Sequence, residues 1–187
     1  LHKGPSSINW PIIFGKTQTG LSIFWPDEGL DTGPILLQKE VEIGPDDTLG
    51  SLYFNHLFPM GVAAMTEAVD LVRAETAPRI EQDPSGGSYE GWCTPDDVRI
   101  DWHQDVDQIY NMIRGANPQP GAWTTFAGKP LTVLDSSKSD NTDGDPGAVI
   151  AADASGITVA ANGGSICISR FKPQGGSKLS AAEMMEQ

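Results

Sequence analysis

The chain has 187 residues, room for one ordinary domain or two small ones, and its 39% apolar content fits a folded protein and not a disordered one. Acidic residues outnumber basic ones 25 to 12, for a net charge of -13, and the imbalance is shared: 12 against 5 in residues 1–83 and 13 against 7 in residues 84–187. Neither half offers the broad basic face that phosphate-driven nucleic-acid binding needs, and the only small cluster, Arg170, Lys172 and Lys178, reads as solvated strand and loop ends.

In chain order, "LHKGPSSINW" begins without a start methionine and reads as the interior of a longer sequence. "SSINWPIIF" predicts a short helix over Ser6–Phe14 with a Ser cap, and "TGLSIFW" and "GPILLQKEVEI" predict strands by β-branched and aromatic enrichment and alternation. "PDDT" opens a helix capped by Asp47 or Thr48; Leu49, Leu52, Tyr53, Leu57, Val62, Met65, Val69 and Val72 keep helical spacing up to Glu75, with a kink or split at Pro59. "TAPRIEQDPSGGSY" (76–89) has no periodicity and reads as an interdomain linker.

Beyond it, "VRIDW" predicts a strand and "DVDQIYNMIRG" an amphipathic helix closed by Gly115, followed by a rigid turn in "NPQPGAW". Short strands are expected at 122–126, 131–136, 148–152, 157–161 and 166–171, the pattern of a small barrel or sandwich, with a polar, mobile loop in "SSKSDNTDGDPG". Ser180 and Glu183 have capping-box spacing for a terminal helix. Cys93 and Cys167 lie far apart with no second ligand at metal spacing, which argues against a disulfide framework or a zinc site and fits a reducing, cytoplasmic setting. No run reaches membrane-spanning length and no signal peptide is visible.

The most unusual stretch is "WPDEGLDTGP", in which Asp27, Glu28 and Asp31 crowd one corner between two strands. A plain turn explains the glycines, with Gly29 and Gly33 supplying positive φ and Asp31 bonding its own backbone as an Asx-turn. It does not explain three carboxylates, whose mutual repulsion raises the proton affinity of at least one and suits it to take a proton from an attacking amine or water.

"INWPIIFGKTQTGLSIFWPDEGLDTGPILLQKEVEIGPDDT" resembles the later part of the catalytic domain of the 10-formyltetrahydrofolate-dependent formyl transferases, and "GLDTG" is its most specific element. "SIFWPDEGLDTG", "PDDT", "YEGW" and "IRGANPQPGAW" look closer to the hydrolase domain of 10-formyltetrahydrofolate dehydrogenase than to methionyl-tRNA formyltransferase. "ITVAANGGSICISRFKPQGGSKLSAAEM" is similar to the barrel-like C-terminal domain of both. The resemblance implies the C-terminal part of a Rossmann-like α/β catalytic domain with its linker over residues 1–83, then an OB-like β-barrel domain over 84–187.

It further implies a folate enzyme, using 10-formyltetrahydrofolate as formyl donor and no metal, with Asp31 as the catalytic carboxylate and Asp27, Glu28, Gly29, Leu30 and Asp31 edging the folate site. The family's partner Asn and His belong to an Asn-x-His-Pro-Ser-Leu-Leu-Pro motif upstream of a stretch like "LHKG". They are not among these residues, so the chain alone is expected to be nearly inert. His2, His56 and His103 read as surface residues without oriented partners. The acceptor could be water, methionyl-tRNA or an amino sugar; the -6 of residues 84–187 favours the hydrolase-like branch over tRNA. A non-catalytic role for the second domain as a binding module would show as exposed aromatics, with Trp92, Trp102 and Trp123 the candidates, although core or linker packing suits each better.

Overall fold

The computed structural model describes residues 2–83 and 85–186. It opens with a two-residue strand, β1 (His2–Lys3), and a short helix, α1 (Asn9–Ile13). The expected Ser cap is not used. The N-cap is Ile8, which makes no side-chain capping bond, while buried Ser6 accepts from the backbone N–H of Cys93 at 2.9 Å. Strands β2 (Gln18–Phe24) and β3 (Ile35–Glu42) then form an antiparallel hairpin running from Gln18 opposite Glu42 to Phe24 opposite Ile35, with an irregularity at Ile23/Phe24.

Thr48, not Asp47, caps α2 (Leu49–Leu52): its hydroxyl accepts from the Ser51 N–H and the Ser51 hydroxyl accepts from the Thr48 N–H. The helix loosens into a π turn at Tyr53–Leu57, just before Pro59, and continues without a break as α3 (Phe58–Arg73). A π turn, not a split, accommodates the proline. Leu52 and Leu57 carry the helical spacing into the core, but along α3 the residues that carry it are not the buried ones. Ala64 and Ala68 face inward, whereas Val62, Met65, Val69 and Val72 are 44 to 56% exposed and join Tyr53, Phe54 and Phe58 in an apolar stripe on the surface. The core of this half is small: Ile12, Ile43, Leu52 and Leu57. The parallel sheet of a Rossmann-like unit does not appear among the described residues; the parallel strand pairing there is β1 with β4 (Ser88–Tyr89).

The strand expected over "VRIDW" reduces to a 3-10 turn (Pro95–Val98) and a bridge between Arg99 and Trp123, although Val98 and Ile100 keep the alternating burial of a strand. Helix α4 (Val106–Ala116) is capped by Asp105 and runs through Gly115 instead of closing there. A Cβ at Gly115 would lie 2.6 Å from Cγ1 of Ile13, so this glycine serves the close crossing of α1 over α4. At the same junction Arg114, 7% exposed, donates to the carbonyls of Gly44 (3.1 Å) and Asp47 (2.9 Å) and to Asn111 Oδ1 (2.9 Å). The Tyr110 hydroxyl donates to Asp46 at 2.8 Å, and burial together with that bond pushes its phenol up to about 12. The Asn9 amide donates to the carbonyls of Gly115 and Gln119, both at 3.0 Å.

Eight strands follow: β5 (Trp123–Phe126), β6 (Lys129–Val133), β7 (Ser136–Ser139), β8 (Val149–Asp153), β9 (Gly156–Ala161), β10 (Gly164–Ile168), β11 (Arg170–Pro173) and β12 (Leu179–Ser180). They make two four-stranded sheets, β7-β10-β9-β8 and β12-β11-β6-β5, and no closed barrel forms among the described residues. Two expected strands each break in two and change sheets, at Leu134–Asp135 and at Ser169. Bonds from Leu134 N–H to Arg170 O (3.0 Å) and from Ser169 N–H to Asp135 O (2.9 Å) join the two corners. β7 takes the start of the expected polar loop, because pairing with β10 is a backbone matter and tolerates "SSKS". The predicted capping box holds for α5 (Ala181–Met185): Ser180 accepts from the Glu183 N–H, and Glu183 Oε2 from the Ser180 N–H at 2.7 Å. The sheets and α4 enclose a core that includes Val98, Ile109, Ile113, Val133, Ile166, Ile168 and Phe171. No helix among the described residues is long and apolar enough to cross a membrane.

Candidate functional site

The β2–β3 hairpin delivers the acidic corner. Its neck is closed by a bond from Trp25 N–H to Pro34 O at 2.9 Å. Gly33 is fixed in identity by this closure, since a Cβ there would stand 1.7 Å from the Trp25 carbonyl oxygen. The Asx-turn is made by Asp27 and not by Asp31: one Asp27 carboxylate oxygen accepts from the Gly29 N–H (3.0 Å) and from the Thr32 hydroxyl (2.8 Å). Glu28, Gly29 and Leu30 face solvent, Leu30 at 67%.

Asp31 differs from its neighbours in two respects. Its backbone sits at φ 55°, a left-handed conformation that non-glycine residues adopt rarely and at functional sites when the surroundings hold it. Its side chain is half-buried, and its carboxylate has no hydrogen-bond or ion-pair partner among the described residues. Of the five residues expected at the folate site, Asp31 alone lines a cavity of about 310 Å³, which it shares with His2, Ser7, Leu21, Ser22 and Gln82. A hollow of about 350 Å³ adjoins it through His2, Gly20 and Leu21 and carries Lys16, Gln38, Lys39 and Glu40. Broader, more open hollows of about 690 and 680 Å³ lie along α3, and Asp31 lines neither.

The sequence reading missed two residues here. His2 has an oriented partner after all: Nδ1 lies 2.7 Å from Glu90 Oε1, and both side chains are largely buried. Burial pushes the Glu90 carboxyl up, but the bonds from Ser88 and His2 and the His2 charge more than offset this and hold it below the usual range. Gln82 is the second: its amide reaches back to the acidic corner from the segment expected to be a linker. Neither partnership leaves a trace in residue spacing, because the pairs lie 88 and about 50 positions apart.

The other candidates fall outside the site. His56 is exposed on the π turn, and exposed His103 sits 3.3 Å from its near neighbour Asp101. Arg170, Lys172 and Lys178 are all exposed, and Arg170 is paired with Asp135 at 3.1 Å. Trp102 and Trp123 pack against the core with their indole N–H groups bonded to Thr124 and Pro95, but Trp92 is 74% exposed, contrary to the packing role expected of it. Burial, with Asp97 nearby, pushes the Cys93 thiol up to about 11, away from the thiolate that a nucleophile or metal ligand needs. No group of three or more potential metal ligands occurs among the described residues.

A family model described as "Formyl transferase" matches residues 1–69, and one described as "Formyl transferase, C-terminal domain" matches residues 93–187. Human mitochondrial 10-formyltetrahydrofolate dehydrogenase is 46% identical over 135 residues, which is 72% of this chain and 15% of that protein. Methionyl-tRNA formyltransferase of Geobacter metallireducens is 35% identical over 184 residues, 98% of this chain and 58% of that one. The chain thus spans less than two thirds of the length of either relative. Among solved structures, HypX from Aquifex aeolicus in complex with tetrahydrofolic acid is similar with a TM-score of 0.82 at 20% identity, over 98% of this chain and 33% of that one. An N-formyltransferase from Helicobacter canadensis, in complex with folinic acid and dTDP-3-aminofucose, has a TM-score of 0.68 at 20% identity over 89% of this chain and 61% of that one. These structures share the fold. With family models matching both halves of the sequence, the chain belongs to the formyl transferase family.

Proposed function

We propose that this chain is part of an enzyme that removes the formyl group of 10-formyltetrahydrofolate, with Asp31 as its proton-accepting carboxylate. One observation carries the reading: in a formyl transferase chain, Asp31 is the acidic residue of the corner that lines the cavity, its carboxylate without a partner among the described residues, while Glu28 faces solvent and the Asp27 carboxylate is engaged in building the turn. The nucleophile adds to the formyl carbon and the carbonyl electron pair moves to oxygen. Asp31 accepts the nucleophile's proton, and collapse of the tetrahedral intermediate breaks the bond to N10, which takes a proton as it leaves. The Asn and His of the family motif would stabilise the developing oxyanion. The backbone of Asp27, Glu28, Gly29 and Leu30 would edge the pteridine, and the Asp27 bonds keep that edge in shape. No metal takes part. We place the boundary between the catalytic unit and an OB-like second unit at residues 83/84.

Water is the acceptor we favour, because residues 84–187 sum to -6 and the exposed basic cluster there is small. The second reading, transfer to methionyl-tRNA, draws on the 98% of this chain matched by a methionyl-tRNA formyltransferase; transfer to an amino sugar is a third. The test is tetrahydrofolate release from 10-formyltetrahydrofolate by the full protein, with and without methionyl-tRNA. Release without an added acceptor is the expected result. Release only with methionyl-tRNA would make it the tRNA enzyme, and no release under either condition would overturn the folate reading unless an amino sugar restores it.

A further inference from the structure

We propose that Gln82 is the positioning residue for Asp31, an inference that rests on the catalytic reading of Asp31. A single amide nitrogen, Nε2 of Gln82, donates to the carbonyl oxygen of Asp31 at 3.0 Å and to that of Gly33 at 2.6 Å. Its two hydrogens thus grip the backbone at the strained residue and two positions after it. Asp31 needs such a grip, because φ 55° places its Cβ against the following carbonyl, a crowding that disfavours this conformation in an L-residue. The Asp27 bonds end at Gly29 and at the Thr32 side chain, so among the described residues the bond made to the Asp31 carbonyl itself is that of Gln82.

Gln82 is itself well anchored. Ile80 and Ile35 exchange backbone bonds at 2.7 and 2.9 Å, the Trp25 indole N–H donates to Pro78 O at 2.9 Å, and the Arg79 guanidinium stacks 4.3 Å over the Trp25 ring. Residues 78–82 are therefore a strap across both feet of the corner, not a free spacer, and the strap places the Gln82 side chain in the Asp31 cavity. The amide holds the backbone so that Asp31 keeps its place in the lining of the cavity. A misplacement of about 1 Å in such a group costs about 10²-fold in rate.

The experiment compares Gln82→Met, which keeps the shape and removes both donors, with Gln82→Glu, which offers acceptors to carbonyls that need donors. In the full protein we expect kcat to fall about 10²-fold with KM for 10-formyltetrahydrofolate within threefold. The second measurement is independent of turnover: the backbone NMR signals of Asp31, Thr32 and Gly33 should shift away from the left-handed pattern in Gln82→Met. They should stay in place when the same change is made on Asp31→Gly, since glycine needs no help to hold positive φ. Unchanged backbone signals in both Gln82 variants would overturn the proposal. So would shifted signals with undiminished kcat while Asp31→Asn is inactive. If Asp31→Asn is fully active, the catalytic reading itself fails, whatever the Gln82 variants do.

Discussion

The two halves of the molecule are held by different means. Residues from Val98 onward close around a core of sixteen buried residues drawn from α4, both sheets and α5. The core cluster of the first half holds four, and the apolar stripe of α3 stays on its surface. What orders the first half is largely polar: the Arg114, Tyr110 and Asn9 bonds across α4, the strap over the acidic corner, and the His2–Glu90 pair. The candidate chemistry thus sits on the half with the smaller core, where geometry is set by directed bonds and not by packing.

The largest expected effect is in the second half. Phe171→Ala, at a site 1% exposed between the two sheets, should cost about 3–5 kcal/mol in a urea titration. In the first half the comparable break is polar: Arg114→Met leaves the carbonyls of Gly44 and Asp47 without their donor and should cost about 2–3 kcal/mol. A loss there as small as that of a surface substitution would remove the distinction between the halves.

Acid should find the first half through Asp47. Burial raises its carboxyl, but bonds from Ser51 and Gly44 and the nearby His56 and Arg114 charges outweigh it, leaving the folded value below the ordinary 3.8. A depressed folded value gives stability that is complete above the unfolded value and is lost as pH falls below about 4 through the folded one. Asp47→Asn should therefore flatten part of the fall in urea midpoint between pH 4 and pH 2; the part due to Glu90, lowered in the same sense, remains. The smallest effect is expected on the stripe. Val69→Ser should change stability by no more than about 0.5 kcal/mol, because Val69 is already 44% exposed.

Local features were legible in the sequence, and distant partnerships were not. The hairpin, the Thr48 cap and the Ser180–Glu183 box depend on residues a few positions apart. The positive φ expected of Gly29 and Gly33 falls instead on Asp31. The role of Asp27 as turn-builder was misassigned to Asp31, since composition shows that a carboxylate bonds the turn but not which one. The split strands escaped notice because their corners are set by pairing between residues 134–135 and 169–170. Helical spacing on α3 shows that a face exists, and says nothing of whether it is covered. Gln82 lies in a stretch whose composition reads only as a linker, and Glu90, just past it, has its partner 88 positions away.

The central claim is that Asp31 acts on the proton and not on the fold of the pocket. The direct measurement is Asp31→Asn in the full protein, comparing affinity for 5-formyltetrahydrofolate, which cannot be turned over in the same way, with turnover of 10-formyltetrahydrofolate. We predict an affinity within about twofold of the original and a turnover reduced about 10²- to 10⁴-fold, as expected for loss of a general base. Undiminished turnover, or a loss of affinity that matches the loss of turnover, would contradict it.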